Sequence, residues 1–69
     1  KDIVLSVFDE NWVWKGQQKI QKSGTGTTGF FNLNYNTIST SKAWLKVEIR
    51  PVGGSWQDAF DEAYIHVNI

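Results

Sequence analysis

Two segments of this chain alternate apolar and polar residues without a break, and that period limits what the chain can fold into. In Ala43-Trp44-Leu45-Lys46-Val47-Glu48-Ile49-Arg50, Ala43, Leu45, Val47 and Ile49 share one face, and Trp44, Lys46, Glu48 and Arg50 share the other. In Ala63-Tyr64-Ile65-His66-Val67-Asn68-Ile69, Ala63, Ile65, Val67 and Ile69 oppose Tyr64, His66 and Asn68. Successive side chains of a strand point to opposite faces, so a period of two predicts half-buried strands. Their β-branched inner faces suit an antiparallel sheet with one side covered.

The rest of the chain reads as short strands divided by turns. Ile3 to Phe8 predicts a strand that is partly apolar on both faces, and Asp9-Glu10-Asn11 carries turn chemistry. Trp12-Val13-Trp14 resumes extended structure with both indoles on one face, and Gln17 to Lys22 is a polar strand anchored by Ile20. Ser23 to Thr28 is a Gly/Thr turn. Phe31, Leu33 and Tyr35 then alternate with Asn32, Asn34 and Asn36, which predicts a further strand, and Asn36 to Lys42 is a polar loop. Pro51 ends the strand before it, and Gly53-Gly54-Ser55 makes a turn. Trp56 to Glu62 fits either one helical turn capped by Ser55 or a loop that sets Trp56 and Phe60 on the core. The expected fold is all-β: a small antiparallel β-sandwich or partly open barrel of five to six strands, with at most one short helical turn near 56–62.

With 69 residues there is room for a single domain, 1–69. A chain of this length buries only ~60% of its unfolded surface, and small domains often add disulfides or a metal. This one has no cysteine, so a disulfide framework and a thiolate zinc site are excluded. What remains is aromatic mass: four Trp, four Phe and two Tyr, more rings than a minimal core needs. No run approaches the ~18–20 apolar residues of a membrane helix. The chain starts at Lys1 without Met or a signal peptide, which fits a processed mature form or an excised domain. Asn, Gln, Ser and Thr exceed a quarter of the residues, a composition that leans towards a secreted or cell-surface protein.

Formal charge is zero, so bulk attraction to nucleic acid or an anionic bilayer is not expected. Six basic residues (Lys15, Lys19, Lys22, Lys42, Lys46, Arg50) against Glu48 precede a tail with Asp58, Asp61 and Glu62. The two regions are expected to neutralise each other across adjacent strands. Gly24-Thr25-Gly26-Thr27-Thr28-Gly29 matches G-x-G-x-x-G, but a polar segment precedes it and strand-like sequence follows. The glycines are better read as permitting positive φ in a hairpin connection. His66, the only histidine, falls on an outward face with no nucleophile context, so no catalytic role is expected. Asp9, Glu10, Asp58, Asp61 and Glu62 are the best calcium candidates, but they lack EF-hand spacing and read first as turn residues or partners for Lys and Arg. Neither a metal nor a cofactor is expected.

Function therefore rests on the surplus rings. The leading expectation is a non-catalytic secreted or cell-surface binding module that contacts a protein or a cell-wall or glycan partner through an aromatic face. Trp44 and Tyr64 are its first candidates, with Lys46, Arg50 and His66 around them. Trp44 and Tyr64 meet if their strands are neighbours in one sheet. Peripheral membrane contact and self-association stay open. Two alternatives follow: a secreted antibacterial or inhibitor-type protein acting at the bacterial envelope, and a structural subunit of a fibre or phage particle. The last rests on the uncharged end of the final strand, an edge that could accept another chain.

Overall fold

The computed structural model describes residues 1–27, 29–33 and 35–69, and its strands form one antiparallel sheet. The strands are β1 (Asp2–Asp9), β2 (Trp14–Gln21), β3 (Lys42–Arg50) and β4 (Asp61–Asn68), in the order β2-β1-β3-β4. Both alternating segments are strands, and they are neighbours: Ala43 pairs with Val67, Leu45 with Ile65 and Val47 with Ala63. β1 lies against β3 with Ile3 on Ile49, Leu5 on Val47 and Val7 on Leu45. Across β3, β1 and β4, one face of the sheet is thus aliphatic, with Asp9 and Asp61 at its ends. The described residues add only a 3-10 turn, Trp56–Asp58.

A single sheet must cover its apolar face with something other than a second sheet. Here the connection between β2 and β3 does so. Leu5, Val7 and Leu45 are buried, and Phe31, Leu33 and Ile38 pack on them from the connection. Burying a Leu or Val side chain contributes ~1.5–3 kcal/mol, so these contacts fix where the connection lies. A side chain then substitutes for a strand ladder. The Gln18 amide accepts from the Asn32 N–H at 3.1 Å and also donates to the Asn32 carbonyl, so it occupies both backbone groups of Asn32.

That clasp accounts for the main difference from the expected fold. The alternation at Phe31, Leu33 and Tyr35 predicts a fifth strand, whereas Phe31 to Leu33 run as irregular chain (Asn34 lies outside the described residues). Phe31 and Leu33 do face the sheet, but their backbone is held by a glutamine side chain instead of a neighbouring strand. The described residues accordingly form four strands in one layer, not the five or six of a sandwich or barrel. The glycine segment is likewise part of this long connection and not a hairpin turn. Gly24, Gly26 and Gly29 do adopt positive φ, at 72°, 111° and 107°, while Thr28 lies outside the described residues.

The β1–β2 turn is built on Asp9. Its Oδ1 accepts from the N–H of Asn11 at 2.8 Å and of Val13 at 3.0 Å, and its carbonyl accepts from Trp12 at 3.0 Å. Trp12 sits in this turn at φ 63°, the left-handed region that costs a bulky side chain ~1–2 kcal/mol. A glycine there relieves that strain, although it also loses the indole. Trp12→Gly is therefore expected to be more stable than Trp12→Ala by ~1 kcal/mol, read from urea unfolding midpoints. Equal stability of the two variants would show that the turn is not strained at Trp12.

Candidate binding face

The face opposite the covering connection is a grid of aromatic and polar side chains fixed by strand register. Its first row runs Trp14, Phe8, Trp44, His66 across β2, β1, β3 and β4. The second is Gln17, Ser6, Lys46, Tyr64, and the third Lys19, Val4, Glu48, Glu62. Gln21, Asp2 and Arg50 close it on three strands. A register shift between Val7 and Phe8 sets Trp14 level with Phe8 and puts it on this face.

Trp12 folds back over the first row. Its ring stacks on Trp44 at 4.7 Å between centroids and 18° between planes, and Trp44 stacks on His66 at 4.1 Å and 2°. Phe8 and Tyr64 meet Trp12 at 5.6 and 5.7 Å with tilted and edge-on geometry. Pairs of this kind contribute ~0.5–1.5 kcal/mol each beyond burial, which offsets the strain at Trp12. His66 is held at its far side, where Nε2 lies 2.7 Å from Glu10 Oε2.

Trp56 approaches from the other end. Gly53 N–H donates to Asp2 Oδ2 at 2.9 Å and Gly54 N–H to the Pro51 carbonyl at 2.8 Å, which pins the loop before it. Ser55 then caps the 3-10 turn: its hydroxyl accepts from Gln57 N–H, and Asp58 Oδ2 accepts from Ser55 N–H at 2.8 Å. This is the helical turn the sequence allows, but Trp56 and Phe60 stay 63% and 67% exposed and do not enter the core. Trp56 instead lines a cleft of about 280 Å³ together with Ser6, Phe8, Trp14, Gln17, Glu48 and Arg50.

The polar residues of the grid are paired. Glu48, 1% exposed, accepts from Arg50 Nη2 at 2.8 Å and from Nε at 3.2 Å. Lys46 Nζ lies 3.1 Å from Glu62 and 3.9 Å from Glu48, with the rings of Tyr64 and Trp56 5.7 and 6.0 Å away. Lys19 lies 3.7 Å from Asp2. The expected pairing between the basic region and the acidic tail is realised by Lys46 and Glu62, whereas Lys15, Lys19 and Arg50 draw on Asp9, Asp2 and Glu48.

Four of the five residues singled out from the sequence, Trp44, Lys46, Tyr64 and His66, therefore come together, and Trp12 joins Trp44 to Tyr64. Arg50 lies apart from them, 7% exposed at the other end of the face, where Glu48 holds it. The cleft residues Ser6, Phe8, Trp14, Gln17 and Trp56 were not among the candidates. Their one visible signal was that β1 is apolar on both faces, which leaves Phe8 facing away from the core. Among the described residues no group of three or more His, Cys, Asp or Glu could hold a metal ion. Among those residues, too, no helix is long and apolar enough to cross a membrane. The chain matches no protein-family model, no curated protein and no solved structure.

The Lys46 pKa is raised above 10.5: burial lowers it, but the hydrogen bond to Glu62 and the charges of Glu48, Tyr64 and Glu62 outweigh that. A folded-state pKa above the unfolded one means that the stabilisation is complete below the unfolded value and is lost as pH rises through the folded value. The stability gap between the native protein and Lys46→Gln should hold steady up to pH 10.5 and narrow beyond it, measured by urea unfolding across that range. A gap that narrows well below pH 10.5 would mean that Lys46 is not favoured in its charged form.

Proposed function

We propose that this chain is a non-catalytic binding module, secreted or displayed at a cell surface, whose aromatic face holds a glycan of the cell envelope. The observation that carries this reading is the cleft lined by Trp14 and Trp56, 56% and 63% exposed, together with Phe8 and the polar side chains Ser6, Gln17, Glu48 and Arg50. Exposed indoles on a sheet offer flat apolar surface at little conformational cost, and fixed polar groups beside them supply direction. Trp12 and Tyr64, 49% and 47% exposed, extend the same surface beyond the cleft. Trp44 supports it from within the stack. In this reading His66 buttresses the face: its ring lies flat on Trp44 and its Nε2 meets Glu10.

The test is pelleting of the folded protein with envelope fractions, followed by tryptophan emission. The protein should pellet with a blue shift, survive protease treatment of the fraction, and be lost after periodate oxidation of vicinal diols. Loss after protease alone would replace the glycan with a protein partner.

The exposed β4 edge favours a second reading, a self-associating structural subunit. Ile65, 48% exposed, lies on the strand that ends the sheet, where a further strand could pair, and Ile69, 52% exposed, follows directly after it. Under that reading light scattering gives a molecular mass that rises with concentration, and a constant monomer mass would remove it.

A further inference from the structure

We propose that the cleft between Trp14 and Trp56 is a subsite for one uncharged sugar ring. This deepens the glycan-binding reading and rests on it.

The size comes first. A volume of about 280 Å³ lies at the bottom of the ~300–1,000 Å³ range of small-molecule pockets, room for one ring and not for a length of peptide. The chemistry of walls and floor then differs in the way a pyranose requires. A sugar ring presents C–H groups on its faces and hydroxyls around its rim. Trp14, Trp56 and Phe8 give apolar surface for the faces, and Gln17, with the more deeply set Ser6, Glu48 and Arg50, meets the rim.

That floor also discriminates against an apolar protein anchor. Ser6 is 3% and Glu48 1% exposed, and Ser6 donates to Gln17 Oε1 at a long 3.5 Å. A leucine or phenylalanine placed beside the exposed Gln17 amide returns no hydrogen bond to it. A hydroxyl both donates and accepts, so it can pair with that amide. Each Glu48 oxygen accepts one Arg50 N–H and keeps further acceptor capacity for a ligand hydroxyl.

Charge sets the final restriction. The cations around the cleft each have an acid of their own: Arg50 with Glu48, Lys46 with Glu62, Lys19 with Asp2. No local excess of either sign is left to draw an ionised glycan, so the ring is uncharged.

The experiment measures retention of the protein on insoluble cellulose, chitin and xylan, with polygalacturonate as the charged comparator. The variants are Trp14→Ala, Trp56→Ala and Gln17→Ala, all at exposed positions, with Trp12→Ala and Tyr64→Ala as comparators and circular dichroism to confirm folding. Expected is binding to at least one uncharged polysaccharide, insensitive to added salt, and weakened about tenfold by either Trp14→Ala or Trp56→Ala. Gln17→Ala should weaken it less. If an uncharged polysaccharide binds but only Trp12→Ala and Tyr64→Ala weaken it, the cleft is the wrong place while the glycan reading stands. Salt-sensitive retention on polygalacturonate alone would overturn the uncharged ring. Retention on none of the four, with periodate-sensitive pelleting intact, would overturn the subsite, and loss of both would overturn the glycan reading with it.

Discussion

A four-stranded sheet has two faces, and this chain has aliphatic cover for only one of them. The β2–β3 connection supplies that cover by laying Phe31, Leu33 and Ile38 over Leu5, Val7 and Leu45. Among the described residues no further strand forms a second layer on the other face. That face covers itself instead, with side chains lying along it. Trp12 and His66 stack on Trp44, Lys46 and Arg50 lie against Glu48, and Val4 and Glu48 are fully buried. A self-covered face is necessarily shallow, and its outermost rings stay in contact with water. The exposed indoles follow from this single layer together with more rings than the core takes in.

Glu48 bears on what this face is for. Burying a carboxylate costs several kcal/mol, and even a well-placed ion pair often does no better than apolar residues of the same shape. The outer positions of β3 hold Lys46, Glu48 and Arg50 in succession, and the paired Arg50 and nearby Lys46 satisfy the buried acid. Stability alone does not require this arrangement, since valine at the neighbouring Val4 is buried equally well. Under the proposed binding reading, a fixed acceptor beneath the cleft offers hydrogen-bonding capacity whose desolvation has already occurred during folding.

The strands were legible where the alternating segment had a hydrogen-bonded neighbour in the backbone ladder. Residues 43–50 and 63–69 are β-branched on the inner side, and both pair as the period of two requires. At Phe31 and Leu33 the same alternation reported only which side chains touch the sheet, because Gln18, distant in sequence, holds the backbone between them. For the site, the outward phase of β3 and β4 was enough to group Trp44, Lys46, Tyr64 and His66. It could not reveal the cleft, whose walls depend on a register shift at Val7/Phe8 and on a turn that carries no periodicity. Arg50 shows the limit from the other side: an outward position was no guarantee of exposure once Glu48 lay two residues away on the same face.

Those two irregularities determine how rigid the cleft is. The loop ahead of Trp56 is fixed by Asp2 through Gly53 and by the Pro51 carbonyl through Gly54. A side chain at Gly54 would come within 2.8 Å of the Pro51 ring, so the close turn depends on glycine there. The capping box of Ser55 and Asp58 then sets the direction in which Trp56 leaves the turn. On the opposite side Trp14 is held by strand pairing with Phe8. The backbone that carries both walls is thus fixed in the free protein by hydrogen bonds that a ligand does not need to form. Under the binding reading, association then forfeits little loop entropy, one of the costs that make small contact areas bind weakly. A shallow face with few contacts can serve as a binding surface under this condition, and the irregular turn contributes it as much as the regular sheet does.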